Sequence, residues 1–135
     1  MMQTKRDIDR EALIRRAAAA RERAYAPYSG YKVGAALQGA SGQVYVGCNV
    51  ENAVYPLVMC AERVAVFKAV CQGERAFEAI AVVTENGGAP CGSCRQVLRE
   101  FGEEILVLIA DSEGHWRETT IGGLLPDSFS AADLA

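Results

Sequence analysis

Residues 77–110 read FEAIAVVTENGGAPCGSCRQVLREFGEEILVLIA. The two apolar runs at 77–84 and 105–110 are short and rich in aliphatic side chains, which suits buried strands, and 91–101 between them reads as a helix. A strand, a helix and a second strand in that order imply a β-α-β crossover. The expected architecture is therefore α/β, with a mixed sheet covered by helices on both faces.

Working outward, residues 9–25 carry Leu13, Ile14, Ala17, Ala18 and Ala24 at helical spacing after acidic residues, which predicts an amphipathic first helix. Ala26-Pro27-Tyr28-Ser29-Gly30 ends it. The segments 31–37 and 43–48 read as strands of a hairpin turning through Gly39-Ala40-Ser41-Gly42. A buried helix is expected over 60–72, and a fifth strand over 116–120, entered through Asp111-Ser112-Glu113-Gly114. No linker, repeat or low-complexity segment interrupts the chain, so residues 1–135 are expected to form one domain. At 135 residues and 50% hydrophobic content, such a domain hides about two-thirds of its unfolded surface.

Composition narrows the function. The net charge is −3, which leaves no basic excess for displacing counterions from a phosphate backbone, so no nucleic-acid partner is expected. No run reaches the roughly 18 to 20 apolar residues of a membrane span, and the first residues lack a signal-peptide core. Acidic residues interrupt the Arg- and Ala-rich start, which favours a helix over a transit peptide. Five cysteines, an odd number, then point to a reducing, cytoplasmic compartment, in which thiols are more often ligands or catalysts than disulfides.

Cys91 and Cys94 stand one helical turn apart where a loop enters a helix, so both sulfurs can face one point, and the helix dipole there favours thiolate. By itself this C-x-x-C fits a redox dithiol, half of a zinc site or two core cysteines. Cys60, at the start of another helix, supplies a third sulfur, and converging thiolates suit zinc. Cys71 lies 11 residues further on, about 16 Å away at 1.5 Å per residue, too far to share the ion, and is expected in the core. Cys48 at a strand end reads as a small hydrophobe, and His115, the single histidine, as structural or solvated. With no fourth protein ligand, the expected site is open, and open zinc sites are catalytic.

Glu62 then becomes informative. Within a regular helix, residues two apart point about 200° away from each other. If Cys60 is instead the cap and Glu62 lies in the first turn, a carboxylate that is not a ligand flanks the metal. Glu62 alone would be read as complementing the helix dipole; the downstream P-C-x-x-C favours the chemical role.

Cys60-Ala61-Glu62-Arg63 followed by Pro90-Cys91-Gly92-Ser93-Cys94-Arg95-Gln96-Val97-Leu98 resembles the short-chain, homotetrameric cytidine deaminases, a group whose zinc signature is established. The resemblance runs from about Glu11 to Leu134. It includes Ala26-Pro27-Tyr28-Ser29, Val33-Gly34-Ala35-Ala36-Leu37, Gly47-Cys48-Asn49-Val50-Glu51-Asn52-Ala53 and Leu124-Leu125-Pro126. It implies a three-layer α/β/α sandwich with a mixed five-stranded sheet, one Zn²⁺ per subunit on Cys60, Cys91 and Cys94, and hydrolysis of cytidine and 2′-deoxycytidine to uridine and 2′-deoxyuridine with release of ammonia, a pyrimidine-salvage reaction. Glu62 would carry a proton from water to N3 of cytosine and then to the departing amine.

The resemblance also implies the remaining roles. Arg63 would hydrogen-bond ligand sulfurs and offset their charge. Asn49 and Glu51, which share a face of an extended segment, would bind ribose hydroxyls, although both residue types also suit a turn. Tyr31 stands where the family usually has Phe against the base, the Ala61 N–H would help hold the pyrimidine, and Tyr55 and Phe129 would complete pockets across subunits of a homotetramer. The absence of a Lys or Arg cluster near Asn49 and Glu51 favours a nucleoside over its phosphate ester. Two departures bear on substrate breadth: Val54-Tyr55-Pro56 where small residues are common, and a slightly short loop before Pro90. Deaminases of other aminopyrimidine nucleosides share part of the pattern, and Arg63 with the Asn49–Glu51 pair favours cytidine. A structural zinc module would need a fourth ligand, and a redox dithiol would leave Cys60 without a use.

Overall fold

The structure, a computed structural model, describes residues 7–135; the share of the one-domain expectation that falls on residues 1–6, and part of that on the chain start, lie outside them. Helices α1 (Arg10–Arg21), α2 (Ala61–Cys71), α3 (Gly92–Arg99) and α4 (Ile121–Leu124) accompany strands β1 (Gly34–Gly39), β2 (Val44–Cys48), β3 (Phe77–Val83), β4 (Leu106–Ala110) and β5 (Trp116–Thr120). The strands form one sheet in the order β2-β1-β3-β4-β5. β3 and β4 are parallel, joined through α3, and every other pairing is antiparallel. The mixed, five-stranded expectation therefore holds.

Alternation along the strands divides the core in two. On one face Leu13 and Ala17 of α1 pack against Ala36, Ala79, Ala81 and Leu108. On the other, Ala65, Val66 and Ala69 of α2 and Leu98 of α3 pack against Leu37, Ile80, Val107 and Ile109. This is the α/β/α layering, and each fully buried Val, Leu or Ile side chain contributes about 1.5–3 kcal/mol by leaving water. Small residues set the layer spacing. A Cβ at Gly34 would stand 2.0 Å from the Ala17 carbonyl, and one at Gly47 would stand 2.5 Å from that of Ala61, so α1 and α2 lie directly on the sheet backbone.

Boundaries shift for identifiable reasons. α1 starts where the Asp9 carboxylate accepts the Ala12 N–H at 3.0 Å, and it ends earlier than the periodicity predicts because Tyr25 is drawn into a bridge with Val50. β1 begins at Gly34, not at residue 31, because the Val33 N–H is taken by the Asn49 side chain at 2.9 Å. The expectation that Cys71 is in the core is corrected, since it is exposed. α2 turns Ala61, Glu62, Ala65, Val66 and Ala69 inward, and a residue two past Ala69 points about 200° away from it. For the same reason Phe67 is exposed, so α2 is not buried on every side. Single helical turns at Tyr55–Leu57, with Pro56 in its first turn, and at Ala131–Leu134 add to the expected elements, as does α4. Among the described residues, no helix is long and apolar enough to cross a membrane.

Candidate active site

Sheet register gathers the site. Gly34 pairs with Cys48 on one side and with Val83 on the other. The segment before β1, the segment after β2 and the loop after β3 therefore leave the sheet at one edge. That edge includes the carboxyl end of a parallel strand, where crossovers open a crevice in α/β sheets. The N-termini of α2 and α3 point to the same place.

Both helix starts have the geometry the sequence required. Cys60 caps α2 in extended conformation (φ −73°, ψ 151°), so Glu62 falls in the first turn. Cys91 caps α3 in the same way (φ −67°, ψ 167°), which turns Cys94 toward it. The Sγ atoms of Cys60 and Cys91 are 3.8 Å apart, and those of Cys91 and Cys94 are 3.5 Å apart. Thiolates about 2.3 Å from a tetrahedral zinc are about 3.8 Å from each other, so the donor set fits the ion. Among the described residues no His, Asp or Glu joins this cluster. His115 instead groups with Asp111 and Glu113 at the exposed β4–β5 turn, and neither the half-buried Cys48 nor the exposed Cys71 takes part.

Electrostatics separates the roles. Hydrogen bonding from the Cys94 thiol, helped by the Arg63 guanidinium against the cost of burial, brings the Cys60 thiol down to about 5, so it is a thiolate at neutral pH. The Cys94 thiol is pushed up by that same bond. Arg63 Nη2 donates to Cys60 Sγ at 3.2 Å, so Arg63 is not a solvated surface charge; its Nε is buried without a partner among the described residues. Glu62 is 4% exposed. Burial, reinforced by the charge of Cys60, raises its carboxyl to about 7, while its own backbone N–H and Arg63 oppose the shift. A carboxyl in that range exchanges its proton readily near neutral pH.

Next to the cluster lies a cavity of about 290 Å³. Tyr31, Asn49, Glu51, Cys60, Ala61, Glu62 and Cys91 all face it, so the structure brings together seven of the residues singled out in the sequence. The cavity continues past Ser29, Glu51 and Val58 into a hollow walled by Tyr28 and Tyr55, whose rings meet edge-on at 6.0 Å. Phe129 is not brought in: it is exposed beyond α3, where its carbonyl accepts from Gln96. Among the described residues, no Lys or Arg lines the cavity.

Asn49 and Glu51 also have a structural task. Asn49 accepts from the Val33 N–H and donates to the Tyr31 carbonyl at 2.8 Å. Glu51 accepts the N–H groups of Tyr28 and Ser29 at 2.9 and 3.1 Å and the Ser29 hydroxyl, which holds its carboxyl below its ordinary range. Sequence reasoning missed Ser29, Thr84, Asn86 and Gly88. Ser29 had a signal in Pro27-Tyr28-Ser29, but the others become visible only when the loop after β3 meets Tyr31.

Residues 7–110 match the family model described as the cytidine and deoxycytidylate deaminase zinc-binding region. The chain is 48% identical over 131 residues to a cytidine deaminase of Sporosarcina psychrophila, covering 95% of this chain and 96% of that one. It is 47% identical over 130 residues to a cytidine deaminase of Halalkalibacterium halodurans, covering 94% and 98%. The crystal structure of cytidine deaminase from Burkholderia pseudomallei superposes with a TM-score of 0.87 at 54% identity, over 90% of this chain and 100% of that one.

Proposed function

The chain belongs to the cytidine and deoxycytidylate deaminase family, and we propose that it hydrolyses cytidine and 2′-deoxycytidine to uridine and 2′-deoxyuridine, with Cys60, Cys91 and Cys94 holding zinc and Glu62 carrying the proton. The observation that carries this reading is the buried Glu62 carboxyl, near neutral in its proton affinity, facing one cavity with the thiol cluster. When bound, zinc acidifies water and supplies a Lewis acid.

The rest is work for the protein's own side chains. Glu62 accepts a proton from water and delivers it to N3 of the pyrimidine, which makes C4 electrophilic. The water oxygen bonds to C4 as the N3–C4 double bond opens; Glu62 then takes the second proton from the new C4 hydroxyl and gives it to the exocyclic amine, so that the C4–N bond breaks, the C4 carbonyl forms and ammonia departs. The Ala61 N–H, one of the first amides of α2 and so without an intrahelical acceptor, is free to bind the pyrimidine. Arg63 offsets thiolate charge that would otherwise weaken the metal as a Lewis acid. Tyr31 packs beside the base, and Asn49 and Glu51, with hydrogen-bonding capacity left after holding residues 28–33, bind the ribose. A cavity wall to which none of the described residues brings a cation favours the nucleoside over its phosphate ester.

One catalytic domain, assembled as a homotetramer in the cytoplasm for pyrimidine salvage, completes the reading. Exposed Tyr25, Val54, Tyr55, Leu57, Phe67 and Phe129 support an assembly, with Tyr55 and Phe129 reaching neighbouring pockets. Five free thiols support the compartment.

The test is zinc content per chain with the loss of cytidine absorbance, for the unaltered protein and for Glu62→Gln. The variant is expected to keep its zinc and lose about 10²- to 10⁴-fold in turnover, the usual share of proton transfer. Near-normal turnover would remove Glu62 from the reaction, and zinc without deamination in the unaltered protein would favour a structural site.

A further inference from the structure

Tyr31 is held at three points. Its N–H donates to the Ser29 hydroxyl at 3.0 Å, its carbonyl accepts from Asn49 at 2.8 Å, and its phenol donates to Asn86 Oδ1 at 2.7 Å. The last bond crosses from the segment before β1 to the loop after β3. That loop is tied inside itself: the Gly88 N–H donates to Thr84 Oγ1 at 2.8 Å, and Thr84 Oγ1 also meets Asn86 at 3.4 Å. Gly88 lies three residues before Cys91 and lines the cavity with Tyr31. A Cβ on Gly88 would stand 2.5 Å from the Tyr31 hydroxyl, whereas its other neighbours would be at 3.7 Å or more. The glycine thus makes room for that oxygen alone.

From these contacts, and resting on the reading of this cavity as the nucleoside site, we propose that Tyr31 is a positioning residue. Its hydroxyl, through Asn86, holds the 84–90 wall and thereby the approach to Cys91. A phenylalanine ring could pack beside a base equally well; the hydroxyl adds a tie between the segment before β1 and the loop that leads to Cys91. Tyr31 and Gly88 then form a matched pair, the oxygen of one occupying the space left by the other.

The experiment compares Tyr31→Phe, Asn86→Ala, Gly88→Ala and the Tyr31→Phe/Asn86→Ala and Tyr31→Phe/Gly88→Ala doubles. Loss of one neutral hydrogen bond is expected to raise KM for cytidine about three- to tenfold, more than it lowers kcat. Zinc release to a chelator and amide exchange of residues 86–90 should quicken alongside. Asn86→Ala should do the same and add nothing to Tyr31→Phe. Gly88→Ala should harm the protein that keeps the Tyr31 hydroxyl more than the Tyr31→Phe background. Unchanged KM, zinc release and exchange in Tyr31→Phe, or equal harm from Gly88→Ala in both backgrounds, overturns the proposal. If the unaltered protein does not deaminate cytidine, the functional reading fails by itself, and exchange and zinc release still decide the tie.

Discussion

Gly47→Ala tests whether close packing of α2 on β2 positions the Glu62 carboxylate. The added Cβ would stand 2.5 Å from the Ala61 carbonyl oxygen and 2.8 Å from the Ala65 nitrogen, against an ordinary contact of 3.4 Å. The differences, 3.4 − 2.5 = 0.9 Å and 3.4 − 2.8 = 0.6 Å, are the displacement that the first turn of α2 must absorb. Both obstructing atoms belong to the helix backbone, so no side-chain rotation relieves them. Forced overpacking of this kind costs about 1–3 kcal/mol. For a chain of this length each kcal/mol corresponds to roughly 3–6 °C in Tm, provided protein concentration is matched. Because Cys60 and Glu62 flank Ala61, the same displacement reaches the site, and a misplacement of about 1 Å can cost about 100-fold in rate. Thermal unfolding and steady-state deamination of the zinc-loaded proteins provide the measurement. A Tm within about 1 °C of the unaltered protein and kcat/KM within about twofold would refute the argument, since α2 would then tolerate displacement without consequence.

Arg63→Ala removes the 3.2 Å hydrogen bond to Cys60, a charge-assisted contact worth about 1.5–3 kcal/mol. Its loss should raise the pH at which zinc is retained, read as zinc content against pH; an unchanged curve would count against charge compensation. Glu51 makes a prediction with a defined sign. The Ser29 hydroxyl, then the Ser29 and Tyr28 N–H groups, hold its carboxyl below the ordinary value of 4.5. Its contribution to stability is therefore complete above that value and is lost as pH falls through the lowered one. The Tm advantage over Glu51→Gln should narrow on acidification, and a gap constant from pH 7 to pH 3 would contradict the assignment. Removing zinc with a chelator should lower Tm by mass action and abolish deamination, with both restored on adding zinc back; a Tm indifferent to the metal would argue against three converging ligands.

The sequence was legible wherever the controlling distances are short along the chain. Strand–helix–strand alternation over 77–110 was enough for the sheet class, and the placing of Cys60 and Cys91 at helix starts was enough to aim the thiols. Both follow from helix and strand geometry within a turn or two. Cys71 was misplaced because which face of α2 turns inward depends on where the sheet lies, which no local spacing encodes.

Motif spacing was sufficient to set Glu62 in the first turn after Cys60 and Cys94 one turn from Cys91, because a cap residue and the first turn after it have a nearly fixed relation, whereas Arg63 was named from the family resemblance. Tertiary structure alone decided that Asn49 and Glu51 hold residues 28–33 while facing the cavity, that Phe129 stays outside it, and that Tyr31 reaches Asn86 across 55 positions of chain. Those meetings depend on the register of β1 with β2 and β3. A slip of one residue would turn every side chain to the opposite face, and only the packed core holds that register in place.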